Sequence, residues 1–187
     1  MIILVAGGDS HVWGSELIDS PHGGIDGYSR KTFSALLFKN YSCVAYPGIS
    51  NKDIAQRVIN ACDHNINCNA RSIVLVCWTW PSRDNDVDSD VYILKLQEYL
   101  KKYNIPYLFT CVDNCVITDN PEIDWDQWYL FPSGQGADQT ETPRGFYQWA
   151  VENKYIVGAD GHPLEQAHAD AAELIKEKFN ELVKKSI

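Results

Sequence analysis

The sequence has no apolar run long enough to cross a membrane or to form the core of a secretory signal. The apolar run nearest its start, residues 2–6, is short, and Asp9 and His11 follow it closely. Such a run predicts a buried strand at the beginning of the fold. We therefore expect a cytoplasmic protein without a leader, a membrane-spanning helix or a membrane partner.

Positive charge is scarce, because 16 lysine and arginine residues stand against 25 aspartate and glutamate residues, for a formal net charge of -9. An acidic surface repels the phosphate backbone of DNA and RNA, so a nucleic-acid partner would need a local basic patch. The lysine cluster near the C-terminus is typical of the solvated last turns of a helix: Lys176, Lys178, Lys184 and Lys185. We expect no nucleic-acid partner.

The six cysteines do not have the spacing of a zinc site. Cys111 and Cys115 lie close together in the chain, but no second pair has matching spacing. Without an export signal, free thiols in a reducing compartment are the expected state of all the cysteines. We expect neither a metal nor an organic cofactor.

Strand-like and helix-like segments alternate along the chain, with no internal repeat. The pattern predicts strands over residues 2–6, 42–46, 72–78 and 106–112, and helices over residues 28–39, 51–62, 90–103 and 164–184. This alternation predicts one α/β domain over residues 1–187, a three-layer α/β/α sandwich in which helices cover both faces of a mainly parallel sheet. Segment 113–160 is rich in aromatic residues and too long for a plain connection, so we expect short helices and a pocket wall there.

A short polar segment, Gly7–His11, follows the first predicted strand. Open α/β sheets bind ligands at the carboxyl ends of their strands, which is where this segment falls. The hydroxyl of Ser10 is therefore a candidate nucleophile. The alternative is an ordinary turn in which Asp9 or Ser10 caps a helix.

A second informative segment, Gly158–Pro163, precedes the last predicted helix. A serine nucleophile needs a nearby base, and the base needs an acceptor that orients it. Pro163 favours an extended conformation for the residue before it, and residues two apart in an extended segment point the same way. Asp160 and His162 could then approach one pocket together. The alternative is a helix N-terminus with an acidic cap and a surface histidine.

Together the two segments resemble the motifs of the SGNH (GDSL-type) hydrolase family, and the resemblance spans nearly the whole chain. That family carries its nucleophile in a G-D-S motif after the first strand, which corresponds to Ser10, and its base in a D-x-x-H motif near the C-terminus. Asp160 and His162 correspond to the second motif, with one residue fewer between them. The resemblance implies a flavodoxin-like sheet of about five strands and a catalytic triad of Ser10, His162 and Asp160. If another acid orients the base, Asp113 and Asp138 are the next candidates.

The oxyanion donors of the family are matched only in part. Its second block ends in a glycine whose amide binds the oxyanion, and Asn51 stands at that glycine's place. Its third block, G-x-N-D, is absent, and the segment from Trp78 to Arg83 is similar to a divergent branch of the family associated with bacteriophage genomes. The candidates for binding the oxyanion or the substrate are Asn51, Thr79, Gly48 and Arg83.

For several candidate residues a purely structural role is the alternative to a role in the site. Arg83 could form a surface ion pair with Asp84 or Asp86 instead of binding substrate. His11 is more often a surface neighbour of the nucleophile, and His168 is more often a solvated helix position than a second base. Three tryptophans suit an acyl or sugar site, but core packing explains each nearly as well: Trp13, Trp78 and Trp80.

The resemblance implies a serine esterase that hydrolyses a carboxylic ester through an acyl-enzyme. An acidic protein with an aromatic-rich segment suits a small-molecule or carbohydrate ester, such as an O-acetylated sugar. The absent G-x-N-D motif favours an alternative, a non-catalytic module that binds carbohydrate or protein on the same fold. A flavodoxin-like binder of nucleotide or phosphate is a third interpretation, but the sequence lacks G-x-x-x-x-G-K-[ST] and G-x-G-x-x-G motifs, and Asp9 would repel a phosphate.

Overall fold

The computed structural model describes residues 1–20, 27–84, 88–133 and 142–184. Within these residues four strands form one parallel sheet in the order β2-β1-β3-β4. The strands are β1 (Ile2–Gly7), β2 (Tyr41–Cys43), β3 (Arg71–Trp78) and β4 (Tyr107–Cys111). The predicted α/β class and parallel sheet are thus confirmed.

Six α-helices accompany the sheet in the described residues. They are α1 (Ser10–Trp13), α2 (Phe33–Leu37), α3 (Asn51–Asn67), α4 (Asp90–Lys102), α5 (Phe146–Glu152) and α6 (Glu165–Lys184). None of the described helices is long and apolar enough to cross a membrane.

The helices pack on both faces of the sheet, as the alternation of side chains along β3 shows. Successive residues of a strand point to opposite faces. Val74, Val76 and Trp78 accordingly join the core cluster that α3 and α4 complete. Ile73, Leu75 and Cys77 join the cluster that contains residues of α2 and α6. This arrangement is compatible with the predicted three-layer α/β/α sandwich.

The strand count and some boundaries differ from the prediction. The resemblance implied about five strands, whereas the described residues form four, and beside β4 there is a single parallel bridge between Phe109 and Trp128. The helix predicted over residues 28–39 is reduced to α2, because Thr32 is extended and its side chain caps the Ala35 amide. Helix α3 continues beyond the predicted residue 62 to Asn67.

The aromatic-rich segment contains short helices, as predicted. Two 3₁₀ turns, Asn114–Val116 and Trp125–Gln127, precede α5. Helix α5 lies against the end of β4, where the Tyr147 amide donates to the carbonyl of Val112. A Cβ added at Gly145 would lie 2.2–2.4 Å from backbone atoms there, so only glycine allows this close approach.

His168 is buried in α6 with 1% exposure, which shows that the predicted solvated position was wrong. Its Nδ1 accepts a hydrogen bond from the Phe33 amide at 3.2 Å, and its ring packs 4.7 Å from that of Phe146. Burial, together with the nearby imidazoles of His11 and His162, lowers the pKa of His168 to about 3. The ring is therefore a neutral part of the core.

Acid is expected to destabilise the fold through His168. The unfolded chain binds a proton at this imidazole near its ordinary pKa of 6.5, and the folded protein binds it only near pH 3. The contribution of the neutral ring to the free energy of unfolding is thus complete above pH 6.5. It is lost as the pH falls towards 3, by about 1.4 kcal/mol per pH unit.

Urea unfolding at pH 7 and pH 5 measures this loss. Between pH 7 and pH 5 the free energy of unfolding of the wild-type protein should fall by about 2 kcal/mol more than that of His168→Asn. The amide oxygen of this variant can still accept from the Phe33 amide. Equal losses in the two proteins would show that the acid sensitivity arises elsewhere.

Candidate active site

Ser10 begins α1 directly after a tight turn that follows β1. Gly8 in this turn has φ +156°, and a Cβ added there would lie 2.5 Å from Cγ2 of Val12. Only glycine fits so close to the next helix, and this brings Ser10 to the carboxyl end of the sheet. Ser10 is 6% exposed and lines a cavity at this edge.

The fully buried carboxylate of Asp9 connects this turn with the end of β3. Its Oδ1 accepts from the amide and from Nδ1 of His11, each at 3.0 Å. Its Oδ2 accepts from Oγ1 of Thr79 at 2.7 Å and from Nη1 of Arg83 at 2.9 Å. Burial alone would raise the pKa of Asp9, but His11 and the hydrogen bonds from Thr79 and His11 outweigh it, so the pKa lies well below its ordinary range.

His162 is held in a closed turn before α6. The Gly158 amide donates to the carbonyl of His162 at 2.8 Å, and Gly161 has φ +87°, in the left-handed region. Val157 and Pro163 form an antiparallel bridge across the same turn. The turn fixes the backbone of His162, which is half-buried.

Glu16, not Asp160, orients the imidazole. Oε2 of Glu16 lies 2.8 Å from Nδ1 of His162 and also accepts from the His162 amide at 3.1 Å. The prediction that Asp160 plays this part was wrong, because the Asp160 side chain is exposed and only its backbone amide approaches the pair, donating to Oε1 of Glu16 at 2.9 Å. Of the other predicted acids, Asp113 caps the 3₁₀ turn after β4, and Asp138 lies outside the described residues.

Hydrogen bonds and a close backbone contact hold the Glu16 carboxylate in place. Burial tends to raise its pKa, but the hydrogen bonds from the Asp160 amide and from His162 prevail, and the pKa lies below its ordinary value. A Cβ added at Gly158 would lie 2.4 Å from the carboxylate, so that glycine permits the contact. Glu16 itself has φ +68°, a left-handed conformation that is uncommon for a residue with a side chain. Such strain at a site often accompanies function.

Ser10 and His162 line one cavity of about 240 Å³. Within the described part of the chain no hydrogen bond joins the two side chains, and the hydrogen bond of the imidazole is the one from Nδ1 to Glu16. Catalytic hydrogen bonds are often long before substrate binds. The remaining wall of the cavity is formed by His11, Trp80, Arg83, Tyr147 and the turn at residues 160–161.

Of the four residues predicted to bind the oxyanion or substrate, Arg83 lines the cavity and the others do not. The Asn51 side chain donates to the Thr79 carbonyl and accepts from the Thr79 amide, both at 2.9 Å. The Thr79 hydroxyl is engaged by Asp9. Gly48 has φ +77° in the loop before α3 and is also outside the cavity wall. Asn51 and Thr79 therefore join the start of α3 to the end of β3.

Arg83 pairs with Asp9 rather than with Asp84. Asp84 instead accepts from the Lys52 amide and from the Ser89 hydroxyl, and Asp86 lies outside the described residues. The guanidinium also lies 5.2 Å from the ring centroid of Trp80, within cation–π range.

The aromatic side chains divide between the site and the core. Trp80 and Tyr147 line the cavity, with ring centroids 6.0 Å apart. Trp78 is fully buried in the core, and Trp13 packs against Tyr28 and Tyr46. Of the three tryptophans weighed from the sequence, Trp80 reaches the cavity.

Sequence reasoning missed Glu16 and undervalued His11. His11 is buried with 3% exposure and faces the cavity, so the surface position favoured for it was wrong. No spacing rule connects Glu16 to a histidine 146 positions later. His162 contacts Glu16 only because the turn before α6 packs on the turn after α1.

Comparison of the sequence with models of known protein families and with curated proteins finds no match. The described residues contain no group of three or more His, Cys, Asp or Glu side chains that could hold a metal ion.

Removing the Asp9 carboxylate is expected to destabilise the protein strongly. Asp9→Ala deletes four hydrogen bonds and leaves Arg83 without its anion, which should lower the free energy of unfolding by about 3 kcal/mol. Asp160→Ala is the matched control, since its exposed side chain should change that free energy by no more than about 0.5 kcal/mol. Urea denaturation compares the two, and similar losses would contradict the assigned role of Asp9.

Proposed function

We propose that the protein is a serine hydrolase of carboxylic esters, with Ser10 as nucleophile, His162 as base and Glu16 as the acid that orients the base. The observation that carries this proposal is the contact of Glu16 with Nδ1 of His162, at 2.8 Å, because the imidazole of His162 lines the same cavity as Ser10. A hydroxyl and an imidazole that line one cavity, with a carboxylate bound to the imidazole, are the parts that acyl transfer requires.

In this mechanism the Glu16 carboxylate accepts from Nδ1–H of His162, so the lone pair of the neutral ring is at Nε2. Nε2 takes the proton of Ser10 as the serine oxygen attacks the ester carbonyl. The resulting imidazolium is stabilised by Glu16 and returns the proton to the leaving alcohol. Water then attacks the acyl-enzyme, again with His162 as base, and releases the acid.

The negative charge that develops on the carbonyl oxygen needs donors. The Ser10 amide, at the first position of α1, is one of the amides that have no acceptor inside a helix. The Arg83 guanidinium lines the same cavity and is the proposed second donor. Asn51 and Thr79, which the sequence favoured for this task, lie outside the cavity wall, and their side chains already have partners.

The resemblance to SGNH hydrolases supports the proposal. Ser10 follows the first strand and His162 precedes the last helix, which is the order of the family's two motifs. The parallel sheet with helices on both faces is compatible with that family's fold.

The size and lining of the cavity favour a short polar ester. A volume of about 240 Å³ is below the usual range of roughly 300–1,000 Å³ for ligand pockets, which suits a small acyl group such as acetyl. Trp80 and Tyr147 offer aromatic surface for the alcohol part, which fits a polyol or carbohydrate ester. The proposed chemistry uses no cofactor.

Replacing the nucleophile is expected to abolish activity. Ser10→Ala should remove hydrolysis of p-nitrophenyl acetate, because no other described hydroxyl lines the cavity beside His162 except the phenol of Tyr147. A fluorophosphonate probe should label the wild-type protein at Ser10 and leave Ser10→Ala unlabelled. Undiminished hydrolysis by Ser10→Ala would refute the mechanism, and a wild-type protein that neither reacts with the probe nor hydrolyses esters would favour the non-catalytic binding module.

Two variants of equal charge change separate the assigned acid from the predicted one. Glu16→Gln should lower kcat by up to about 10⁴-fold, because the amide no longer stabilises the imidazolium or selects its tautomer. Asp160→Asn should leave kcat within about twofold, because its side chain makes no described contact with His162. Steady-state kinetics with p-nitrophenyl acetate measure both, and the reverse order would restore Asp160 as the acid.

A further inference from the structure

The imidazole of His11 has an atom with no role in the mechanism above. Four buried side-chain nitrogen and oxygen atoms of the described residues have no hydrogen-bond partner. Three of them belong to core residues, Trp78, Thr110 and Trp128. The fourth is Nε2 of His11, a residue that follows the nucleophile in the chain and lines the cavity.

The hydrogen bond at the other side of the ring determines what Nε2 can do. Nδ1 of His11 lies 3.0 Å from the Asp9 carboxylate, which is ionised because its pKa is held far below the ordinary range. An ionised carboxylate only accepts, so the hydrogen is on Nδ1. In the neutral ring Nε2 is then a hydrogen-bond acceptor.

The charged and titratable groups that surround His11 already have partners of their own. Asp9 supplies one negative charge, and the Arg83 guanidinium at 2.9 Å already balances it. His168 is neutral in its buried position, and His162 is paired with its own carboxylate, Glu16. A hydrogen on Nε2 would be a buried donor without an acceptor among the described residues, which is costly.

The surroundings of Nε2 belong to the cavity itself. The ring of His11 lies 5.2 Å from that of His162, 5.6 Å from Trp80 and 5.8 Å from Tyr147, centroid to centroid. These three side chains line the same cavity. Because Nε2 is itself buried, a ligand in the cavity would have to displace one of these rings to reach it.

We propose that Nε2 of His11 accepts a hydrogen bond from a hydroxyl group of the substrate, and that this contact makes the enzyme selective for hydroxyl-bearing esters. The inference rests on the proposed esterase function and adds a specificity-determining residue to it. A buried acceptor that is satisfied only by the correct substrate is left unpaired by an analogue without the donor, and such an analogue is rejected.

Three short esters of similar size test the proposal. Propyl acetate has no donor, 2-hydroxyethyl acetate has a hydroxyl on the alcohol side, and propyl glycolate has one on the acyl side. The wild-type protein should hydrolyse at least one hydroxyl-bearing ester with a kcat/KM at least tenfold above that of propyl acetate. The hydroxyl-bearing ester with the higher kcat/KM shows whether the alcohol part or the acyl part of the substrate contacts His11.

His11→Asn isolates the contribution of Nε2, because the shorter amide can still donate to Asp9 but has no atom at the place of Nε2. The preference for the hydroxyl-bearing ester, taken as a ratio of kcat/KM values, should fall at least tenfold in this variant. Dividing the two ratios removes differences in the intrinsic reactivity of the esters. His64→Asn, on the exposed face of α3, is the matched control and should keep the wild-type ratio.

A second measurement uses the ring itself and does not depend on turnover. In ¹⁵N-histidine-labelled Ser10→Ala, the Nε2 resonance of His11 should shift on addition of the preferred hydroxyl ester and stay in place with propyl acetate. This measurement tests the proposal even if the His11→Asn variant does not fold.

The possible failures are distinguishable. Ester hydrolysis with the same preference ratio in wild type and His11→Asn, or an Nε2 resonance that ignores the hydroxyl ester, overturns the role of His11 and leaves the esterase intact. Absence of hydrolysis of all three esters together with absence of fluorophosphonate labelling overturns the esterase function, and this inference with it.

Discussion

The buried carboxylate of Asp9 is the contact on which the geometry of the site depends. It receives the amide and imidazole of His11 from its own turn, and the Thr79 hydroxyl and Arg83 guanidinium from beyond β3. A buried charge is tolerated only when donors fill its hydrogen-bonding capacity, so these groups must converge on it. Ser10 stands between Asp9 and His11 in the chain, and the same contacts therefore fix the backbone that carries its hydroxyl.

A second carboxylate–imidazole pair, Glu16 with His162, differs from the first in its exposure. The His162 side chain is 18% exposed, whereas that of His11 is 3% exposed and its carboxylate is fully buried. In the proposed mechanism the more accessible pair exchanges protons with substrate and water. In the role proposed for His11, the enclosed pair holds its ring in one tautomer and presents an acceptor to substrate. The two proposed roles differ because the burial of the two pairs and the groups around them differ.

The sequence supported predictions where local physics dominates. Apolar runs and helical periodicity located the four strands and the principal helices, because burial imposes those patterns directly on neighbouring residues. Ser10 and His162 could be predicted as candidate site residues because each lies in a short recognisable motif, one directly after a strand and the other directly before a helix. The side chains of Thr79 and Asn51 have donors and acceptors that fit more than one task, and only the packing of α3 against β3 shows that Asn51 bonds to the backbone of Thr79.

The amino-acid sequence by itself determined the α/β class, the parallel sheet and the two turns that carry the serine and the histidine, because these follow from patterns within a few residues. Only the tertiary structure decided which acid meets His162, that His11 is buried, and that Arg83 pairs with Asp9. The physical reason is that each of these contacts joins segments far apart in the chain. Their formation depends on how the turns pack at one edge of the sheet, which no local spacing encodes.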